Sequence, residues 1–98
     1  MTLNDLLHDI YRLEDEMRVY ERKYGVLSET FYQSYAIGEE PPHDDWVRDW
    51  AAWASAYKLR QRFHTQYEAA IQVLRAQLPS TAAMIEKTAR HDPIPVPA

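Results

Sequence analysis

The stretch Asp44–Leu78, DDWVRDWAAWASAYKLRQRFHTQYEAAIQVLRAQL, contains neither Gly nor Pro. Within it Trp46, Trp50, Trp53 and Tyr57 fall at i, i+4, i+7 and i+11, so a helix sets all four rings on one stripe. The stripe continues, less purely, through Phe63, Tyr67, Ile71, Leu74 and Leu78. Asp44 or Asp45 offers an N-cap oxygen, and Pro79 stops the pattern. At 1.5 Å per residue the stretch makes roughly 50 Å of helix. A helix of that length needs packing partners along its whole apolar face.

The nearest partner lies upstream. Leu3, Leu6, Ile10, Leu13, Met17, Tyr20 and Tyr24 alternate steps of 3 and 4, which predicts a first helix over 3–24. Gly25 follows the last periodic residue and suits a left-handed helix end, while Arg22 and Lys23 suit the helix dipole. Ser28 is expected to cap a short helix over about 28–37, with Glu29 in its first turn and Gly38 as its stop. Pro41 and Pro42 then exclude helix from the connector. After Pro79, Ser80 can cap a short C-terminal helix carrying Met84 and Ile85. Prolines at 93, 95 and 97 make residues 91–98 an extended or disordered tail.

These elements read as an all-α chain. An antiparallel helical hairpin (about 3–24 and 45–78) carries a short cross-helix and a short C-terminal helix, in a single helical domain over 1–90. An antiparallel pairing puts Tyr24 near Trp46 and Leu3 near Tyr67. The first helix then falls about 11 residues short of covering Ile71, Leu74 and Leu78. The 80–90 segment, a second copy or another protein must cover them, and uncovered apolar stripes mark interaction surfaces. Trp50 and Trp53 are both expected to be buried against Tyr20, Met17 and Leu13.

Composition narrows the function classes. The chain has no cysteine, hence no disulfide framework and no thiol nucleophile. No apolar run approaches the roughly 20 residues that span a bilayer. The first residues, MTLNDLLHDIYRLEDE, lack the basic-then-apolar pattern of a signal peptide. A cytoplasmic protein is expected. The net charge of −4 is uneven: residues 1–45 carry −7 and residues 46–98 carry +3. The two halves attract each other in a hairpin, or the acidic part meets a basic partner protein. Direct nucleic-acid binding is disfavoured for want of a concentrated basic stripe.

No residue pattern specifies a chemistry. Asp5, His8 and Asp9 share a helical face and could offer a metal three ligands, but a solvated polar face accounts for them better. Glu40 and His43 have Glu-x-x-His spacing, yet Pro41 and Pro42 remove the helix that spacing requires. His64 sits among Arg60, Arg62 and Gln66 as an exposed or boundary residue. With two glycines there is no phosphate-cradling loop, and neither H-E-x-x-H nor G-x-S-x-G occurs. No metal, no cofactor and no enzymatic activity are expected. The Trp/Tyr stripe reads first as hairpin core, second as a hot-spot surface for a partner, and least as a base-stacking platform.

Residues 20–57, YERKYGVLSETFYQSYAIGEEPPHDDWVRDWAAWASAY, resemble a family of small bacterial helical proteins. The matching positions are Tyr20, Glu21, Lys23, Tyr24, Gly25, Ser28, Phe31, Tyr32, Gly38, Glu39, Asp45 and Trp46. Such proteins look like the antitoxin half of a type II toxin–antitoxin pair, encoded beside a small ribonuclease-like toxin. The resemblance covers about 40 of the 98 residues, and the motif residues are helix ends, caps and aromatics. It implies a non-enzymatic protein that masks a cognate toxin. Tyr24, Phe31, Tyr32, Trp46, Ile71, Leu74 and Leu78 are the candidate partner-binding residues. The alternative is a self-associating structural or adaptor protein, and a homodimer or hetero-complex is expected over a monomer.

Overall fold

A computed structural model describes residues 1–97, so Ala98 of the expected tail lies outside the described residues. The chain is all-α: helix takes up 75% of it, with no strand among the described residues. Four α-helices follow in order: α1 (Leu3–Tyr24), α2 (Ser28–Tyr35), α3 (Val47–Gln77) and α4 (Thr81–Ala89), with a 3-10 turn at Asp44–Trp46 leading into α3.

The helix ends show local chemistry at work. At the start of α1 the Thr2 N–H donates to the Asp5 carboxylate (3.1 Å) and the Asp5 N–H donates to the Thr2 hydroxyl (3.2 Å). This reciprocal pair satisfies two donors that the helix leaves free. Gly25 ends α1 at φ +80°, its N–H donating to the Glu21 carbonyl. Ser80 caps α4 by accepting the Ala83 N–H.

Two expected caps are placed differently. Leu27 is the N-cap of α2 and makes no side-chain cap bond, which puts Ser28 inside the helix. Its N–H donates instead to the Glu21 carboxylate at 2.9 Å, so an anion from α1 meets the positive end of α2. Neither Asp44 nor Asp45 caps α3, because the 3-10 turn intervenes and has His43 as its uncapped N-cap. Helix α2 also ends at Tyr35 rather than 37, since Gly38 at φ +100° turns the chain and Ala36–Gly38 form a turn.

The residues group into two compact units, Tyr11–Gln61 and Met1–Ile10 with Arg62–Ala98; α1 and α3 supply residues to both. In the unit Tyr11–Gln61 the helices run antiparallel: Arg60 pairs with Glu14 (3.0 Å), Tyr20 stacks on Trp53 (6.0 Å) and Tyr24 meets Trp46 edge-on (5.0 Å). Trp53 is fully buried and lies face to face with Phe31 at 3.9 Å and 3°. Its indole N–H donates to the Ser28 hydroxyl (2.8 Å), which donates on to Glu21 (2.7 Å). The buried polar atoms of ring and hydroxyl are thereby satisfied. Trp50 departs from expectation. It is only partly buried and packs edge-on against Phe31 and Tyr35 of α2. Three residues before Trp53, its ring is rotated by about 60° around the helix axis, toward α2.

The unit Met1–Ile10 with Arg62–Ala98 has an aliphatic core of Leu3, Ala70, Ile71, Leu74, Met84 and Ile94, with Tyr67 and Leu78 packed against it. The tail is extended, as its prolines require, and it is docked. The Leu3 N–H, which has no partner inside α1, donates to the Ile94 carbonyl at 2.7 Å. The Val96 N–H donates to the Met1 carbonyl, and Thr2 bridges Pro95 antiparallel. The covering of Ile71 and Leu74 thus comes from Met84 and Ile94. Ile85 is 56% exposed, because one residue along α4 turns a side chain roughly 100° away.

Candidate functional site

The most distinctive concavity lies within the unit Tyr11–Gln61. A cleft of about 310 Å³ is walled by the rings of Tyr24, Phe31, Trp46, Trp50 and Trp53, with Lys23, Val26, Thr30, Ser34 and Glu39 completing it. The local folding that builds it is simple. The i, i+4, i+7 spacing carries the three indoles from the 3-10 turn (Trp46) onto the first turns of α3 (Trp50 and Trp53). Gly25 turns the chain so that α2 carries Phe31 across them. The Glu39 N–H donates to the Ser34 carbonyl, which folds the acidic connector back over the end of α2. The volume sits at the lower bound for small-molecule pockets and is enough for a single large side chain.

Charge at one wall is already paired. Asp49 accepts from the Lys23 ammonium (2.6 Å) and from the Tyr24 hydroxyl (2.7 Å). Lys23, and to a lesser degree Tyr24, hold the Asp49 carboxyl below the usual carboxylate range. The hydrogen bond to Asp49 raises Lys23, and burial, followed by Asp49, raises Tyr24. The Lys23 ammonium also sits 5.5 Å from the Tyr24 ring centroid, within cation–π range. The Trp50 indole nitrogen is buried with no hydrogen-bond partner.

Beside the cleft, Glu39, Glu40, Asp44 and Asp45 are all exposed, and none joins an ion pair among the described residues. Ile37 is 87% exposed in the same connector, and Val47 is 52% exposed at the start of α3. A second, shallower concavity of about 580 Å³ runs from Tyr35 through Glu39, Glu40 and Pro41 to Val47 and Ala51.

Three of the residues singled out from the sequence meet in the cleft: Tyr24, Phe31 and Trp46. Tyr32 does not; it is half-buried with its ring on Tyr57 at 4.8 Å. Ile71, Leu74 and Leu78 belong to the other unit, where Ile71 (7% exposed) and Leu74 (2%) are core and Leu78 packs against it. The ground for giving them to a partner, an uncovered overhang, is removed by Met84 and Ile94. Asp5 is engaged with Thr2 at the start of α1, and His8 is exposed. The His43 and Trp46 rings pack perpendicular to each other at 4.8 Å. Among the described residues no three His, Cys, Asp or Glu gather into a possible metal-ligand set.

Sequence reasoning passed over Glu39 as a cleft residue, Asp49 as the partner of Lys23 and Tyr24 on its wall, and Glu21 and Ser28 as a relay to Trp53. Asp49 carries a legible signal, one position before Trp50 and facing the end of α1 in an antiparallel pairing. The Glu21–Ser28 contact carries none, because it depends on the course of the chain through Gly25. Among the described residues no helix is long and apolar enough to cross a membrane. No protein-family model, no curated protein and no solved structure matches this chain.

Proposed function

We propose that this chain is a non-catalytic protein-binding module whose working surface is the aromatic cleft and acidic connector of residues 23–53. The observation that carries the reading is the incomplete coverage of Trp46 and Trp50, two large rings left half-buried beside exposed Ile37 and Val47. Partly covered Trp and Tyr next to a polar rim is the composition of interaction hot spots. The resemblance of residues 20–57 to antitoxin-like proteins makes the partner a small ribonuclease-like toxin. An acidic rim is suited to a basic RNA-gripping surface by charge complementarity. Self-association as an adaptor is the second reading; burial of Ile71 and Leu74 in the core removes that stripe from either kind of interface.

The test is co-expression with the product of the reading frame adjacent to the gene. The expected result is restored growth and a co-eluting complex, both lost in Trp46→Ala with Glu39→Lys. A neighbouring product that is harmless alone, or that ignores this chain, overturns the toxin-masking reading.

A further inference from the structure

We propose that the aromatic cleft is a socket for an arginine side chain presented by a protein partner, an inference that rests on the protein-binding reading above. The walls come first. Phe31 and Trp53 spend their faces on each other at 3.9 Å. The rings with surface to spare are Trp46 and Trp50, both half-buried, with centroids 6.2 Å apart and planes inclined by 29°. Indole faces are the best aromatic partners for a cation.

Charge comes second. No Lys or Arg occurs between Tyr24 and Val47, whereas Glu29, Glu39, Glu40, Asp44 and Asp45 do. Glu39 itself lines the cleft, exposed and outside the ion pairs described above. The one cation on the wall, Lys23, is neutralised by Asp49. An incoming cation therefore meets two half-buried rings and, in Glu39, an exposed carboxylate outside those ion pairs. Lys23 over Tyr24 shows the same cation–ring contact already made within the chain.

Shape and surroundings choose among cations. A guanidinium is flat, weakly hydrated and stacks on rings, while its fork of donors can also engage Glu39; an ammonium is compact and strongly hydrated. Exposed Val26 in the cleft wall, with exposed Ile37 in the connector and Val47 at the start of α3, offers apolar contact that a small free cation would leave in water and that a protein surface would cover.

The experiment titrates the isolated protein with Nα-acetyl amides of arginine, citrulline, lysine and norleucine, and with choline, following tryptophan indole N–H signals. Arginine is expected to bind about fivefold tighter than citrulline or norleucine, the worth of one cation–π contact, with lysine between. The Trp46 and Trp50 signals should move most. Glu39→Gln, an exposed change, should lower the arginine preference only in part and spare norleucine, because the ring contact remains, whereas Trp46→Ala should erase most of it. Equal or tighter binding of norleucine or citrulline overturns the proposal while leaving an apolar docking site. Tighter binding of choline overturns it in favour of a small quaternary ammonium. If arginine saturates the cleft while the co-expressed neighbour fails to bind, the socket stands and the toxin-masking reading falls.

Discussion

In the unit Tyr11–Gln61 the core joins the rings of Phe31, Trp53 and Tyr57 to Leu13, Met17, Ala54 and Ala56, and holds a polar relay, Trp53 to Ser28 to Glu21. In the unit Met1–Ile10 with Arg62–Ala98 the core is aliphatic, and an extended tail closes it. Rings are large and flat and carry polar handles, so they pack with gaps and edges. Small branched side chains interdigitate more completely. The difference goes with a cleft walled by rings in the first unit and with burial of Ile71 and Leu74 inside the second.

The largest blow to this contrast would come at Trp53. Trp53→Ala should cost about 3–5 kcal/mol, since it removes a fully buried ring together with its stack on Phe31. Urea unfolding should detect it, and a loss under about 1 kcal/mol would mean that the rings are not a core. Leu74→Ala should cost about 2–5 kcal/mol by the same cavity argument in the aliphatic unit. Ile71→Glu with Leu74→Glu should abolish cooperative unfolding. Were sedimentation to show instead a folded monomer derived from a wild-type dimer, these residues would be interface and not interior.

A smaller effect sharpens the polar side of the comparison. Ser28→Ala deletes the middle of the relay and strands the Trp53 indole N–H, at a cost of about 1–3 kcal/mol. No comparable substitution exists among the aliphatic core residues, which have no polar side-chain atoms.

The smallest effect is on pH dependence. Asp49 is depressed by Lys23 and then Tyr24, so its contribution is present above the unfolded value near ~3.9 and lost as pH falls through the folded one. Asp5, depressed chiefly by the Thr2 backbone bond, adds an acid-sensitive contribution from the other unit. Lys23 and Tyr24 are raised, so their contributions are present below about 10 and lost as pH rises through the folded values. Melting temperature against pH should show both limbs. Asp49→Asn should shrink the alkaline limb and only part of the acid one, because Asp5 remains. An unchanged profile in Asp49→Asn would show that the three groups do not interact in solution.

The helices themselves were legible from residue spacing. Alternating steps of 3 and 4 marked α1 over Leu3–Tyr24, and the Trp46–Trp50–Trp53–Tyr57 stripe marked α3 within a residue or two of its observed bounds. Gly25 and Ser80 announced a helix end and a cap, because those preferences act within one turn. Three of the cleft residues, Tyr24, Phe31 and Trp46, were also recognisable, since an antiparallel pairing brings the end of one helix to the start of the next.

The closure of each unit was not legible, because it joins residues far apart in the chain. Ile94 meets Leu3 across almost the whole sequence, and no local preference of a proline-rich tail encodes that contact. Ser28 looked like a cap by its neighbours. It became the centre of a relay because Glu21 and Trp53 converge on it in space. Periodicity sorts side chains onto faces of a helix. Which face is covered, and by what, is settled by the packing of distant segments, whose loop-closure entropy must be offset by the apolar surface they bury.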